Sequence, residues 1–257
     1  MAVQVNTAIA IATFILGLTA VGMILFVAGR RRQAREDEMR REASMRGWKF
    51  DSRSTLNRRI HTWTGTTDGI AWRAEAIRSQ SKNDRRHDRQ HIARWHGDFS
   101  PGVSGPIVLM GVPKGKEVPA FSIAQGEGFI AQLAQKAAGF AFDKAIDVYF
   151  GEDLGKEVDA ANLHRVNVAG LPGFIVMAAD KDEGARILSQ GLESALVAAI
   201  NDKASVFASE NRPSILLRPH GLSMARMARF VDVNELDAYV RAGVGLTRAF
   251  KFARPFA

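Results

Sequence analysis

Cysteine is missing from this chain of 257 residues. A chain without cysteine has no disulfide framework, no thiolate zinc site and no cysteine nucleophile. The sequence also lacks a serine in a nucleophile elbow, the strand–turn–helix motif of many hydrolases. Hydrophobic residues make up 46% of the chain and charged residues 24%, which is the composition of a folded globular protein and not of a disordered one.

Charged residues are missing from the first 29 positions. Residues 30–100 contain 18 Lys and Arg against 10 Asp and Glu, whereas residues 101–257 contain 17 of each. The whole net charge of +8 therefore lies in residues 30–100, directly after the uncharged segment. A basic stretch in that position favours a membrane surface as its partner, and we expect no nucleic acid partner.

The uncharged segment is long enough to cross a lipid bilayer. As an α-helix, residues 8–29 would extend about 33 Å, against about 30 Å for the hydrocarbon core. The polar side chains in this segment are Thr13 and Thr19, whose hydroxyls can donate to carbonyls of the preceding turn. A cleaved signal peptide is the alternative, but residues 1–7 lack its basic start and three arginines follow the apolar run. We predict a transmembrane helix.

Basic residues on one side of this helix predict its orientation. Arg30, Arg31, Arg32 and Arg35 follow the span, whereas the tail before it has no charged side chain. Because positively charged flanks stay in the cytoplasm, we predict a single span in the plasma (inner) membrane, with the N-terminus outside and the rest of the chain inside. Contacts of Arg30 to Arg32 with anionic headgroups would contribute about 1 kcal/mol each.

Residues 30–47 are predicted to continue the helix as a basic juxtamembrane stalk. Opposite charges recur four residues apart, as in Arg32 with Glu36 and Glu42 with Arg46. Gly47 is expected to end the helix, since glycine readily adopts the left-handed conformation of a helix C-terminus.

Residues 48–257 are predicted to form a soluble α+β domain, with two possible lobes at 48–120 and 121–257. Residues 59–66 and 70–77 indicate a hairpin around Asp68 and Gly69. Two more strands are expected at 91–99 and 106–112, so that four successive strands form an antiparallel sheet.

The second half of the chain alternates short strands with amphipathic helices. We predict helices over 129–150, 182–201 and 234–251, and paired strands at 164–168 with 174–178 and at 205–208 with 214–218. Since strands cluster and helices stand apart, the pattern predicts an α+β fold with an antiparallel sheet and packed helices, preceded by the transmembrane helix.

The passage Arg46-Gly47-Trp48-Lys49-Phe50 opens the strand-rich part after the span and the stalk. In this arrangement the chain resembles uncharacterised bacterial single-span membrane-anchored proteins, which have an N-terminal helix, a basic stalk and a Gly-Trp-x-Phe opening of an α+β domain. The resemblance implies the architecture but no activity.

Candidate chemistry is sparse. His87 and His91 are four residues apart and His96 is nearby, and on a helix the first two would share a face suited to zinc. However, arginines surround the pair and the stretch after it has strand character, so we expect no metal and no cofactor. Ser223 lies near His220, in what we interpret as a plain turn with Gly221. Residues 126–131 match the spacing of a dinucleotide-binding loop but lack its strand–helix–strand context.

Two functions of different class follow from the sequence. The first is a membrane-anchored interaction or regulatory module with an unknown protein partner or a second copy of the chain. The second is an enzyme of unrecognised type at the membrane surface, with His87, His91 and His96 as its polar cluster.

Overall fold

The computed structural model describes residues 2–80, 89–112, 144–168, 171, 173–202, 205–210, 212–230 and 232–252. Among these, the side chains of residues 2–15, 18, 80, 89, 90, 152, 160, 190, 191, 251 and 252 lie outside the description. The chain divides into two compact units, Met1–Gly47 and Trp48–Ala257.

The first unit is one helix. Helix α1 extends over Ala2–Met45, which includes residues 30–45 of the predicted stalk. Its end is fixed by Gly47, which has φ +72° and donates its amide to the Ser44 carbonyl at 2.9 Å. Two of the expected ion pairs form on its surface, with 3.3 Å between Arg32 Nε and Glu36 Oε1 and 4.0 Å between Arg46 Nη1 and Glu42 Oε2.

A membrane span is a separate question from helicity. Within the described part of the chain, no helix combines the length and the apolar character that crossing a membrane requires. The predicted span at 8–29 falls partly outside that part, because the side chains of residues 8–15 and 18 do not belong to it.

The second unit contains nine strands and five helices within its described residues. The strands are β1 (Lys49–Ser54), β2 (Arg58–Thr67), β3 (Ile70–Gln80), β4 (Arg89–Asp98), β5 (Ile107–Gly111), β6 (His164–Val166), β7 (Phe174–Ala178), β8 (Ser214–Arg218) and β9 (Gly221–Arg226). The helices are α2 (described over 144–150), α3 (Glu152–Gly155), α4 (Lys181–Ile187), α5 (Glu193–Asn201) and α6 (Val233–Phe252). The fold is α+β with an antiparallel sheet, as the sequence predicts.

The nine strands form one sheet in the order β1-β2-β3-β4-β9-β8-β5-β7-β6, and every neighbouring pair is antiparallel. The predicted hairpin of β2 and β3 is confirmed, with Asp68 at φ 55° and Gly69 at φ 73° in its turn. β5 follows β4 along the chain but does not lie beside it, since β9 and β8 separate them in the sheet. β8 is buried at all five positions, so a place in the interior of the sheet suits its apolar side chains.

Two further expectations need correction. Residues 205–208 are not a strand: Val206–Ala208 form a 3-10 turn, and the Ser205 hydroxyl accepts the Phe207 amide at 3.2 Å. β8 pairs instead with β9. Ser223 lies in this strand and not in the plain turn that was predicted for it. The sequence of β9, Gly-Leu-Ser-Met-Ala-Arg, hides the strand because glycine, serine and alanine have weak strand preferences.

The helical predictions agree with the structure where it describes them. The chain is helical from Lys181 to Asn201, although Leu188–Leu192 form a π-helical turn between α4 and α5. Asp180 caps α4 by accepting the amides of Asp182 at 2.8 Å and Glu183 at 3.1 Å. Helix α2 is the described part of the predicted 129–150 helix. Residues 129–143 lie outside the described residues.

Helix α6 covers one face of the sheet, which we call face A. Its apolar stripe is fully buried, as predicted: Leu236, Tyr239, Val240, Val244 and Thr247. The Tyr239 hydroxyl donates to the Ala93 carbonyl of β4 at 3.3 Å. On the same face Trp95 is completely buried, and Gly243 of α6 lies directly against its indole ring.

The opposite face, face B, is covered in part by α2. Ile146 and Phe150 of this helix form a buried cluster with Val108 of β5, Leu216 of β8 and Ala225 of β9. This cluster occupies the half of the sheet around β5, β8 and β9, and next to it lie the face B side chains of β2, β3 and β4.

Candidate functional site

Strand alternation determines which side chains of β2 to β4 point to face B. On β3, Ile70, Trp72 and Ala74 alternate along the strand, point to face A and are buried. Arg73, which lies between Trp72 and Ala74, and Glu75, which follows Ala74, therefore point to face B. The register carries the same alternation to β4, because Arg73 pairs with His96 and Glu75 with Arg94.

Together with the end of α2, these strands enclose a cavity of about 790 Å³. We call it the arginine groove, because four arginines from four strands line it: Arg58, Arg73, Arg94 and Arg218. Apolar side chains line it as well: Ile60, Ile77, Ile92, Val148, Phe150 and Leu154. Its carboxylates are Glu75, Asp147 and Asp153. The groove thus combines an apolar wall with paired charges.

Arg94 ties the sheet to the last turn of α2. Its Nε donates to the Tyr149 carbonyl at 2.6 Å and its Nη2 donates to the Val148 carbonyl at 2.9 Å. The last carbonyls of a helix lack the amides of a following turn, so a cation at this end donates to them and complements the helix dipole. Burial lowers the pKa of Arg94 to about 10, partly offset by Glu75, and the side chain stays protonated at neutral pH.

Glu75 lies between two of the arginines. Its carboxylate is bonded to Arg73, and its Oε2 is 4.0 Å from Arg94 Nη1. The side chain of Glu75 is only 13% exposed. A carboxylate this buried is compensated by its two cationic neighbours, so Glu75 holds the arginine side chains of β3 and β4 in place.

A second polar group lies where β4 meets β9. His96 and Ser223 are direct partners in the register, and His96 Nδ1 is 3.0 Å from Ser223 Oγ. His96 Nε2 is 2.8 Å from Asp98 Oδ1. Burial and the charge of Arg218 lower the pKa of His96, against the opposing effect of Asp98. The imidazole is therefore neutral at pH 7.

Arg218 completes this group from β8. Its side chain is 8% exposed; Nη1 donates to Glu157 Oε2 at 2.7 Å, and Nη2 is 3.4 Å from His96 Nδ1. Its buried Nε has no hydrogen-bond partner among the described residues. Buried charge with an unused donor, beside a cavity, suits a site that accepts an oxyanion or a carboxylate.

The structure does not bring the predicted histidine cluster together. His91 and His96 are five residues apart on β4, so they point to opposite faces of the sheet. His87 lies outside the described residues. Within the residues that are described, no group of three or more His, Asp or Glu is placed to hold a metal ion.

The predicted membrane flank belongs to the other unit. Arg30, Arg31, Arg32 and Arg35 are exposed on α1. The guanidinium of Arg30 lies 5.2 Å from the centre of the Phe26 ring. The 126–131 segment, which resembles a dinucleotide-binding loop in spacing, lies outside the described residues.

Sequence reasoning missed the pairing of Ser223 with His96. The sequence pointed to His220, three residues away, whereas the true partner is 127 positions distant. One signal was available: in Gly221–Arg226, Leu222 and Met224 alternate with Ser223, the pattern of a strand with one apolar face.

Comparison with known proteins adds little. No protein-family profile matches the sequence, and no curated protein sequence matches it. Among solved structures, the crystal structure of the mycobacterial trehalose monomycolate transport factor A, TtfA, is similar at 9% sequence identity with a TM-score of 0.43. The alignment covers 86% of this chain and 98% of that chain. A similarity at this level says nothing of what this chain binds.

Proposed function

We propose that the chain is a membrane-anchored interaction module. Residues 8–29 cross the inner membrane with the N-terminus outside, residues 30–47 form the stalk, and the α+β domain works at the cytoplasmic surface. This arrangement is the one that the resemblance to single-span bacterial proteins also implies. The domain engages its partner through the arginine groove.

The exposure of α1 is the observation that carries this proposal. Met23, Ile24, Leu25 and Phe26 are consecutive, and each is 63–70% exposed. Successive residues of an α-helix are about 100° apart, so four of them point in all directions around the axis. A helix apolar on every side has no face suited to water, and a lipid environment satisfies it.

The arginines after this segment support the orientation. Arg30, Arg31, Arg32 and Arg35 are exposed, and Arg32 pairs with Glu36 at 3.3 Å. Cations at this end are retained on the cytoplasmic side and attracted to anionic headgroups.

Cysteine accessibility tests the anchor and its orientation. Because the chain has no cysteine, Val3→Cys and Leu56→Cys each create a single thiol; Leu56 is fully exposed at the turn between β1 and β2. In intact cells we expect an impermeant maleimide to label Val3→Cys and to label Leu56→Cys only after lysis. Labelling of Leu56→Cys in intact cells contradicts the orientation, and release of the chain by alkaline carbonate contradicts the anchor.

Photo-crosslinking tests the use of the groove. A photoreactive residue at Arg58 lies in the arginine groove, whereas one at Ala71 is exposed at the other end of β3, outside the residues that line the groove. We expect a crosslinked adduct at position 58 and none at position 71. Equal crosslinking at both positions contradicts the groove as the interaction surface.

A further inference from the structure

The line Asp98–His96–Ser223 has the order of groups that activates a serine. A carboxylate accepts hydrogen bonds and cannot donate them, so the bond to Asp98 requires the proton on His96 Nε2. Nδ1 then carries a lone pair and accepts the hydroxyl proton of Ser223 across 3.0 Å. This is a nucleophile next to a general base that a third group orients.

The protonation state of His96 suits a base. Its pKa is lowered by burial, by Arg218 and by Arg73, and is raised by Asp98. The neutral form therefore prevails at neutral pH, and Nδ1 carries the lone pair that accepts a proton, with Arg218 Nη2 at 3.4 Å from it.

Arg218 acts on both partners of a proton transfer. With Nη2 at 3.4 Å from His96 Nδ1, its charge opposes the imidazolium ion. The same charge favours the negative oxygen that forms when Ser223 attacks a carbonyl, and the buried Nε of Arg218 has no hydrogen-bond partner among the described residues. Since the transfer creates one positive and one negative charge near the same guanidinium, the two effects oppose each other.

The site is reached from the arginine groove. Ser223, His96 and Arg218 all line the cavity, although Ser223 as a whole is only 2% exposed. Apolar side chains of β3 and β4, Ile77 and Ile92, line the same cavity. A substrate with an apolar acyl chain fits this lining.

We propose that Ser223 is the nucleophile of an acyl-transfer reaction on carboxylic esters with an apolar acyl chain. Ser223 Oγ forms a bond to the ester carbonyl carbon, His96 Nδ1 takes the hydroxyl proton, and the ester C–O bond breaks. The proton passes from His96 to the leaving alcohol. Water then attacks the acyl-serine with His96 again as base, which releases the carboxylic acid and restores Ser223. Asp98 is a positioning residue that holds the imidazole.

A fluorophosphonate probe and a p-nitrophenyl ester test this proposal on the full-length chain. We expect mass spectrometry to find the phosphonate on Ser223, and Ser223→Ala to abolish both labelling and ester hydrolysis. His96→Gln should lower both by about a hundredfold or more, the usual contribution of a general base. The matched control is Ser54→Ala, since Ser54 is exposed on β1, outside the residues that line the cavity, and should leave both unchanged.

The absence of cysteine offers a second readout that needs no substrate. Ser223→Cys makes a single thiol beside His96, and Ser79→Cys makes one in the same cavity without that arrangement. We expect iodoacetamide at pH 7 to alkylate Ser223→Cys more than tenfold faster than Ser79→Cys, and His96→Gln to remove most of this difference. The proposal is overturned if a folded chain leaves Ser223 unlabelled and the two thiols react equally. Neither readout depends on the membrane anchor or on a protein partner, so this proposal and the proposed function fail separately.

Discussion

The packing of α6 on Trp95 gives a prediction with a built-in control. A Cβ added at Gly243 would lie 2.6 Å from both Cε2 and Cε3 of Trp95, whereas a Cβ at Gly245, two residues along α6, meets nothing within 4 Å. Trp95 is completely buried, so the added methyl group would overlap its ring unless the ring or the helix shifts.

The two alanine variants separate packing from helix propensity. Gly→Ala within a helix gains up to about 1 kcal/mol at either position. At position 243 the added methyl group also overpacks the core, which costs about 1–3 kcal/mol. We therefore expect Gly245→Ala to raise the free energy of unfolding slightly and Gly243→Ala to be about 1–3 kcal/mol less stable than Gly245→Ala.

Thermal unfolding of the full-length chain in mild detergent measures this difference. For a domain of this size, each kcal/mol corresponds to about 2–4 °C in Tm, so the two variants should differ by about 2–12 °C. Trp95→Phe provides space in the Gly243→Ala background, and a double-mutant cycle should give a coupling of at least about 0.5 kcal/mol. Equal Tm values for the two alanine variants would refute the close contact between α6 and Trp95.

Three further predictions concern single groups. Asp180→Ala should cost about 1 kcal/mol because two amides at the start of α4 lose their acceptor, while Asp180→Asn should stay close to wild type in urea unfolding. Arg94→Met should cost about 1–3 kcal/mol because the carbonyls of Val148 and Tyr149 lose their donor; Arg94→Lys should recover only part, and full stability of Arg94→Met would contradict this role. For His96, whose pKa is lower in the folded chain than its usual 6.5, the unfolded chain binds more protons as the pH falls. Its contribution to stability is therefore present above pH 6.5 and lost as the pH falls through the folded pKa, so urea midpoints at pH 7 and pH 5 should differ less in His96→Gln than in wild type.

Local sequence patterns predicted the helices and strands that can be identified from the spacing of their own apolar and turn residues. The stripe of α6 from Leu236 to Thr247 repeats every three to four residues, and all its members are buried. The hairpin of β2 and β3 was recognisable from the Asp-Gly pair, because both residues accept a positive φ. In each case the information lies within about 20 residues of sequence.

The order of strands was not available from such patterns. The chain places β5 directly after β4, yet β9 and β8, more than 100 residues later, pair between them. What selects this order is burial: β8 is buried at every position and needs a buried neighbour on each side, which β5 and β9 provide. The order of the strands can therefore be predicted only by comparing segments that are far apart in the sequence.

The candidate site depends on that same long-range pairing. His96 is separated from Ser223 by 127 positions and from Arg218 by 122, and the three meet only because β9 inserts beside β4 with Ser223 opposite His96. A shift of one residue in this register would turn Ser223 to face A and leave His96 beside an apolar side chain, Leu222 or Met224. In the sequence, His96 and Ser223 are two isolated residues that no local motif connects. The register of two strands makes them partners, so the reactivity of Ser223 is also a test of that register.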